Sequence, residues 1–199
     1  MRPYDIQEDT PASALLTTAV AKAHLRVDSS DEDTYIDALV LAATKYCESY
    51  MHRQILSAGY TVMFDSMPPD NERIYIPKGQ LSAIATFKYY DVDGDIQTWD
   101  SSNYQINTLA QPGYVMPVEN GNYPSVQAST WNAVQIAFNC GWATTADVPE
   151  DLLHAVKLAI SHLFENRDMS PVIGASALNV KMPQAVHSLL DIYSLREFA

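Results

Sequence analysis

The sequence predicts an α+β protein in which long helices flank a block of strands. Apolar side chains recur at helical spacing in two stretches, residues 30–52 and 147–168. Between them, residues 59–141 show short alternating segments separated by turn residues, a pattern typical of strands. We therefore expect a bundle of long helices, at about 17–52 and 147–168 plus a C-terminal helix, with a small antiparallel β domain inserted at about 59–141.

The N-terminal segment predicts little regular structure before the first helix. Residues 1–14 are polar and irregular, and we expect them to form a loose arm. Thr17 or Thr18 is suited to cap a short helix that runs to Arg26, because a threonine hydroxyl accepts a hydrogen bond from a free N–H of the first turn.

The second helix is predicted to begin in an acidic stretch and to run to about His52. Acidic side chains are favoured in a first turn by the helix dipole, which suits Asp31–Asp33. A functional acidic patch over Asp31–Asp37 is the alternative, but helix-start chemistry explains the same residues. The apolar stripe of this helix consists of Tyr35, Ile36, Leu39, Val40, Ala43, Tyr46, Cys47 and Tyr50.

The central block predicts only strands. Val134, Ile136 and Phe138 alternate with smaller or polar residues, as expected for a strand with one buried face. Asp93-Gly94 is a strong hairpin signal between two strands. The short strands suggest a small barrel or sandwich. The predicted strands are Tyr60–Phe64, Arg73–Ile76, Ala83–Tyr90, Ile96–Trp99, Tyr104–Thr108, Tyr114–Met116 and Trp131–Asn139.

The stretch Asp147–Asp168 predicts the longest amphipathic helix. Asp147 is suited to cap it, Pro149 fits the first turn and Glu150 fits a capping box. A helix of this length spans roughly 30 Å, about the width of a small domain. Its apolar stripe consists of Leu152, Ala155, Val156, Ala159, Ile160, Leu163 and Phe164.

A terminal helix is predicted after a loop. Met169–Lys181 contains Pro171 and Gly174, and Pro183 is suited to open the helix that follows. The apolar stripe of this helix consists of Val186, Leu189, Leu190 and Tyr193. Because the loop separates the helix from the body, we hypothesise that it docks outside its own core, on a neighbouring molecule. Packing within its own chain is the alternative.

Composition and charge restrict the classes of function. The 199 residues suit one domain, or one domain with an insertion, and the net charge is −12. Such a charge argues against binding nucleic acid through its phosphates, which requires clustered Lys and Arg. No apolar run is long enough to cross a bilayer and no secretory signal core is present, so we expect synthesis in a cytoplasm. Cys47 and Cys140 are expected to be two buried thiols.

The sequence contains no pattern that indicates an enzyme or a metal site. Asp91–Asp95 resembles a calcium loop, but an EF-hand needs Gly at its sixth position and Glu at its twelfth, which are absent here. His154 and His162 are eight residues apart, too far to share a metal. No nucleophile elbow, phosphate loop or dinucleotide fingerprint occurs. We therefore predict no catalytic residue, no cofactor and no metal.

Surplus apolar residues indicate an interaction surface. On a helical projection Leu41 and Leu158 fall on the polar sides of their helices. Single exposed leucines are common, but together with the terminal helix they leave more apolar surface than one subunit needs. The residues predicted to form interfaces are Leu41, Leu158, Val186, Leu189, Leu190 and Tyr193.

Several stretches, in order along the chain, carry a resemblance to a known family. They are Ala21–Arg26 with Asp31–Asp33 and Tyr35-Ile36, Arg53–Leu56, Ile76–Gly79, Tyr89–Gly94, Val134–Trp142, Val148-Pro149, Ala155–Arg167, Met182–Val186 and Leu189–Arg196. Over about residues 17–196 the chain resembles the head-tail connector (adaptor) proteins of tailed bacteriophages, in the longer form with a β insert. It departs from them at Tyr123-Pro124, where the family often has Trp-Pro.

The resemblance implies a structural virion protein and two domains. Residues 1–58 and 142–199 would form the helical adaptor domain, and residues 59–141 the inserted β domain. Such proteins form a ring, usually dodecameric, that joins the DNA-filled head to the tail. The implied partners are further copies of the chain, the portal above, a stopper, tail-completion or tail-tube protein below, and phage DNA passing through the lumen without sequence-specific binding. The implied location is the virion, after synthesis in the host cytoplasm, with no membrane.

A β-domain binding module for carbohydrate or peptide is the alternative function. Trp99, Trp131, Tyr104 and Tyr114 would supply its aromatic platform. Aromatic residues of this kind more often belong to a core, and shielded tryptophans would count against the platform.

Overall fold

The computed structural model describes residues 5–70, 72–119, 121–127, 130–166 and 181–195. Helices and strands alternate in blocks, as predicted, and the α+β class is confirmed. The helices are α1 (Thr18–Leu25), α2 (Asp33–Met51), α3 (Glu150–Glu165) and α4 (Gln184–Leu190). The strands are β1 (Asp5–Thr10), β2 (Ala58–Phe64), β3 (Ile74–Tyr75), β4 (Leu81–Tyr90), β5 (Ile96–Thr98), β6 (Tyr104–Asn107), β7 (Tyr114–Pro117) and β8 (Val134–Cys140).

The N-terminal segment forms a strand, so the expectation of a loose arm is wrong for residues 5–10. β1 pairs antiparallel with β2, with Ile6 opposite Val62. The Thr61 hydroxyl adds a hydrogen bond to the Asp9 carboxylate at 2.6 Å. β1 is an edge strand whose side chains are mostly exposed, so it carries little of the apolar alternation by which strands are recognised in sequence.

α1 and α2 are separate helices that contact each other through polar pairs. Thr17 caps α1 by accepting a hydrogen bond from the Val20 N–H at 3.3 Å. Lys22 forms an ion pair with Asp33 at 2.6 Å, and the Thr18 hydroxyl donates to Asp37 at 2.6 Å. Two of the acidic residues in Asp31–Asp37 therefore serve contacts between the first two helices.

The long helix α3 begins differently from the prediction. Asp147 closes a 3-10 turn over Thr145–Asp147 by accepting hydrogen bonds from the N–H and hydroxyl of Thr144. Pro149 occupies the N-cap position, and Glu150 with Asp151 supply the acids of the first turn. α3 ends at Glu165, and the predicted loop Met169–Lys181 lies almost wholly outside the described residues.

α2 and α3 form the centre of the helical core, and α1 and α4 pack on them. The residues of the two long helices that are fully buried follow the predicted stripes closely. They include Ile36, Ala43, Cys47, Leu152, Ala155, Val156, Ala159 and Ile160. Each buried isoleucine, leucine or valine contributes roughly 1.5–3 kcal/mol, so these stripes hold the helices together.

Two antiparallel sheets enclose the second core. One sheet has the order β1-β2-β8-β4-β5 and the other the order β3-β7-β6. Val62 and Ile136 of the larger sheet share a buried cluster with Ile74 and Val115 of the smaller one. The predicted hairpin is present, since Tyr90 pairs with Ile96 and Gly94 has a φ of +90° in the turn between them.

Candidate functional site

A buried polar network lies where α2 meets the sheets. Glu48 accepts two hydrogen bonds at Oε1, from Gln54 Nε2 at 2.6 Å and from the Ile55 N–H at 3.0 Å. The Tyr60 hydroxyl donates to Gln54 Oε1 at 2.6 Å. Burial raises the pKa of Glu48, while the Ile55 N–H and the neighbouring Lys45 oppose that rise. The network fixes the chain where it leaves α2 and enters β2.

Arg53 occupies the centre of this junction and is only 4% exposed. Its Nη2 donates to Gln111 Oε1 at 2.5 Å, and its guanidinium lies 5.7 Å from the ring centroid of Trp142. Burial lowers the pKa of Arg53, and its Nε has no hydrogen-bond partner among the described residues. The parallel bridge between Arg53 and Lys78 brings the Arg53–Leu56 and Ile76–Gly79 stretches together.

Residues 141–142 complete the junction from the other side. The Trp142 N–H donates to the Ile55 carbonyl at 2.8 Å, and the Ser57 N–H donates to the Trp142 carbonyl at 2.9 Å. Three of the stretches quoted for the resemblance thus meet at one place. Sequence analysis marked them separately and did not show that they meet.

A cleft of about 320 Å³ opens beside the network and carries charges of both signs. Its charged residues are Glu8, Lys45, Glu48, Arg53 and Lys78. Lys45 lies 3.5 Å from Glu8 and 3.4 Å from Glu48, so much of the charge is neutralised locally. Within the described residues no three His, Cys, Asp or Glu side chains are grouped so as to hold a metal.

The terminal helix α4 packs on its own chain, which corrects the hypothesis that it docks elsewhere. Val186 and Leu190 are fully buried in the helical core. His187 stacks on Tyr50 at 4.7 Å between ring centroids, and its Nε2 lies 2.8 Å from the Tyr46 hydroxyl. The apolar side of α4 packs against α2 and α3. Val186 and Leu190 therefore have no exposed surface that could contact a neighbouring subunit.

The other residues predicted to form interfaces are divided between core and surface. Leu158, Leu189 and Tyr193 are partly buried and pack against the helical core. The Tyr193 hydroxyl also donates to Asp151 at 2.8 Å. Leu41 is 56% exposed, as its position on the helical projection predicts. Of the six residues, Leu41 therefore presents the most open apolar surface.

The aromatic platform of the alternative function does not form. Trp99 and Tyr104 are buried in the sheet core with a ring separation of 5.2 Å. Trp131 is 80% exposed, whereas Tyr114 is half-buried beneath the Arg73 guanidinium, at 4.4 Å. Two of the four rings fill the core, and they are not available to a ligand.

Exposed apolar residues also lie in turns of the sheet region, and of these the sequence singled out Trp131 alone, as part of the aromatic platform. Trp131 lies just before β8, and Leu109, 92% exposed, lies in the turn between β6 and β7. Val92 and Ile96 are also exposed, at the turn that joins β4 to β5. The sequence signal that could have revealed these exposed residues is an apolar side chain in a turn with polar neighbours. Turns lie at the surface, so their side chains are seldom buried.

The aspartate loop forms a turn. Asp91 Oδ1 accepts the N–H groups of Asp93 and Asp95, each at 3.0 Å, and Oδ2 accepts Gln97 Nε2 at 2.7 Å. The bond from Gln97 is the main reason that the pKa of Asp91 is lowered. Cys47 and Cys140 are free and buried, as predicted, and burial raises the pKa of each to about 12.

Comparison with known families gives a match over part of the chain. The model of the phage gp6-like head-tail connector proteins matches residues 17–106, from α1 through the junction and into β6. Over these 90 of its 199 residues the chain is similar to the head-tail connector proteins. No curated protein matches the chain at a significant level.

Solved structures with the same fold come from gene transfer agent (GTA) particles. The first is in the neck of an empty GTA particle computed with C6 symmetry, with a TM-score of 0.76, 21% identity and coverage of 96% of this chain and 95% of that one. The second is in the virion of a native GTA particle, with a TM-score of 0.74, 19% identity and coverage of 95% and 94%. The third is in the neck of a native GTA particle computed with C12 symmetry, with a TM-score of 0.69, 18% identity and coverage of 96% and 94%.

At these identities the likeness shows a shared fold, which extends over nearly the whole chain. In the described part of the chain, no helix is both long and apolar enough to span a bilayer.

Proposed function

We propose that this protein is a structural head-tail connector that closes into a ring at the junction of head and tail, beneath the portal, and that DNA passes through its lumen. The family match carries the proposal. The shared fold with neck proteins of particles computed with C6 and C12 symmetry supports a ring of six or twelve copies, of which twelve is our expectation. The location would be the virion, after synthesis in the host cytoplasm.

The two buried clusters suggest that the subunit has two domains with separate roles. One cluster is built from the helices and the other from the two sheets, and the Glu48–Arg53 junction connects them. We propose that they correspond to a helical adaptor domain (1–58 and 142–199) and an inserted β domain (59–141). Two such domains would provide separate surfaces for the portal and for a stopper, tail-completion or tail-tube protein.

The exposed side of α2 is suited to contact between subunits. Ala38, Leu41 and Ala42 are exposed at positions that share one side of the helix, with Lys45 one turn further on. In a closed ring each subunit uses two different surfaces, one for each neighbour. A mainly small and apolar helix side suits one of them, because small side chains allow close approach.

Measurement of particle mass tests the ring. The purified protein, alone and mixed with portal complex, is examined by native mass measurement and negative-stain imaging. We expect a closed assembly of subunits in at least one of the two conditions. Protein that remains monomeric in both, with no ring on the portal, would contradict the proposal.

Leu41→Glu tests the contribution of α2 to that ring. Burial of a leucine contributes roughly 1.5–3 kcal/mol, so its loss should weaken association about tenfold or more at each contact. Because Leu41 is exposed in the subunit, the free energy of unfolding should change by less than about 0.5 kcal/mol. Thr86→Glu, which adds the same charge at an exposed position of β4, is the matched control. Equal assembly by both variants would show that this side of α2 is not a contact between subunits.

A further inference from the structure

An exposed tryptophan marks one end of the larger sheet. Trp131 is 80% exposed and precedes β8 by three residues. The Tyr90 N–H donates to the Ala133 carbonyl at 2.8 Å, which places this segment beside the last residue of β4. Val92 and Ile96, both more than half exposed, lie in the adjoining turn and strand. We call Trp131, Val92 and Ile96 the Trp131 knob.

A cleft of about 340 Å³ lies on the smaller sheet. Its walls come from β6, β7 and the turn between them, and it is lined by Gln105, Ile106, Asn107, Thr108, Leu109, Tyr114 and Met116. Leu109 at its rim is 92% exposed. We call it the β6–β7 cleft. Its volume is at the lower end of clefts that hold small organic molecules, and its mixture of apolar and amide groups suits an aromatic ring with one N–H.

The knob and the cleft cannot meet within one subunit. Gly113, at the end of the turn that bounds the cleft, lies directly against Leu81, since a Cβ on that glycine would be 2.5 Å from the Leu81 Cβ. Leu81 is the first residue of β4, and the knob lies beside Tyr90, its last. Leu81 pairs with Cys140 and Tyr89 pairs with Val134, and the six residue steps of β8 between these partners span about 20 Å. The Gly113 end of the cleft and the knob therefore lie at opposite ends of β4.

The cleft and the knob are flanked by charges of opposite sign. The Arg73 guanidinium lies 4.4 Å from the ring centroid of Tyr114, a residue that lines the cleft, and forms no ion pair within the described part of the chain. Asp93 and Asp95 are exposed beside the knob, and Asp65 accepts the Asn132 N–H at 2.9 Å next to Trp131. A basic group therefore flanks the cleft, and carboxylates flank the knob.

We infer that the Trp131 knob of one copy inserts into the β6–β7 cleft of the next copy. The contact rests on the proposed ring and specifies how its subunits meet in the β region. It uses a different surface on each partner, as a ring requires, and it encloses a tryptophan, the residue type most enriched among energetically dominant contacts. Arg73 of one copy then faces the carboxylates of its neighbour.

Site-specific cross-linking tests this contact without removing it. Thr108→Cys places a thiol at the cleft and Thr130→Cys places one beside the knob, with Trp131 and Leu109 retained. A bis-maleimide spanning about 10 Å is too short to join the two positions within one chain, because about 20 Å separate these ends of β4. The native Cys47 and Cys140 are buried and should not react. We expect a ladder of dimers, trimers and larger species on a denaturing gel from assembled protein.

Control variants make the expected pattern specific. Either single cysteine substitution should give no ladder, because the contact joins unlike surfaces. Trp131→Ala in the double-cysteine protein should reduce cross-linking at least tenfold, while the unfolding midpoint stays near that of the parent because Trp131 is exposed.

The outcomes separate this inference from the proposed function. Rings that form but give no ladder would overturn the knob-and-cleft contact and leave the ring standing. Dimers from the single variant Thr130→Cys, or cross-links from that variant only to another virion protein, would overturn the contact as well. Absence of rings with and without portal would overturn the proposed function, and this contact with it.

Discussion

At the scale of single residues, two glycines allow the junction to close. Gly79 has a φ of +94°, and a Cβ there would lie 2.8 Å from Arg53 Cγ. Gly141 has a φ of +102°, and a Cβ there would lie 2.7 Å from the carbonyl carbon of Leu56. Real side chains do not tolerate such approaches, and a positive φ adds strain for any other residue. The polar network around Glu48 therefore depends on backbone that only glycine supplies.

Glu48 gives this junction a pH dependence of defined sign. Burial raises its pKa above the ordinary value of 4.5, so the folded state favours the protonated carboxyl. Its stabilising contribution is fully present below about pH 4.5 and is lost as the pH rises through the folded pKa. Relative to Glu48→Gln, the wild-type free energy of unfolding should fall over that window, by about 1.4 kcal/mol for each unit of the rise in pKa.

Urea denaturation of both proteins between pH 4 and pH 7 measures this difference. The amide introduced by Glu48→Gln retains an acceptor for the Gln54 and Ile55 donors, so the comparison isolates the charge. Glu119→Gln, at an exposed position, is the control for loss of net charge alone. A wild-type advantage that grows from pH 4 to pH 7 would contradict the assigned direction.

At the scale of elements, α4 behaves as part of the helical core although it is short. It has seven residues, and isolated helices of that length are unstable in water, so packing holds it in place. Beyond its end, the Leu195 N–H donates to the Met51 carbonyl at 2.9 Å. The segment after α3 therefore returns to the end of α2, close to the junction.

Adjacent leucines of α4 test whether it is docked in solution. Leu190 is fully buried, whereas Leu189 is partly exposed. Leu190→Ala should lower the free energy of unfolding by about 2–5 kcal/mol, because it removes buried methyl groups and leaves a cavity. Leu189→Ala, as the matched control, should cost clearly less. Small and equal losses in urea denaturation would show that α4 is detached from the core.

At the scale of the whole molecule, the net charge predicts weak binding of DNA. The net charge is −12, and the cations are partly used within the subunit. Lys22 pairs with Asp33, Lys45 lies between Glu8 and Glu48, and Arg53 is buried. A lumen built from such subunits would let DNA pass, because the 24 acidic residues outnumber the 12 lysines and arginines and a net negative surface repels phosphates.

Gel retardation tests this property of the assembled protein. We expect no shift of a linear double-stranded fragment at about 50 mM salt, where phosphate contacts are strongest, and none at about 200 mM. A strongly basic protein of similar size serves as the positive control. A shift at the lower salt concentration that disappears at the higher one would reveal a basic channel surface and contradict the expectation.

Much of the fold was predictable because it depends on periodic burial. The stripes of α2 and α3 and the alternation of β8 recur in the structure nearly as predicted. β1 was missed because an edge strand buries too few side chains to show a pattern. The start of α3 was misplaced because Asp147 caps a 3-10 turn instead, and a capping residue looks the same before either kind of helix.

The candidate interface was less predictable, for a physical reason. A helical projection shows which side of one helix is apolar, but not which other element covers it. Leu41 remains exposed, whereas Val186 and Leu190 are covered by the chain's own helices. Trp131 and Leu109 lie in turns. Apolar residues in turns follow no regular spacing, so a helix or strand pattern does not show whether they are buried or exposed.

By itself the sequence determined the α+β class, the two long helices, most of the strands and, through short stretches in order, the resemblance to head-tail connector proteins, since each depends on local spacing and composition. Only the tertiary structure decided that β1 joins the sheet, that α4 fills its own core, and that Arg53–Leu56, Ile76–Gly79 and Trp142 meet at one junction. These features depend on contacts between residues far apart in the chain, and local spacing carries no record of such contacts.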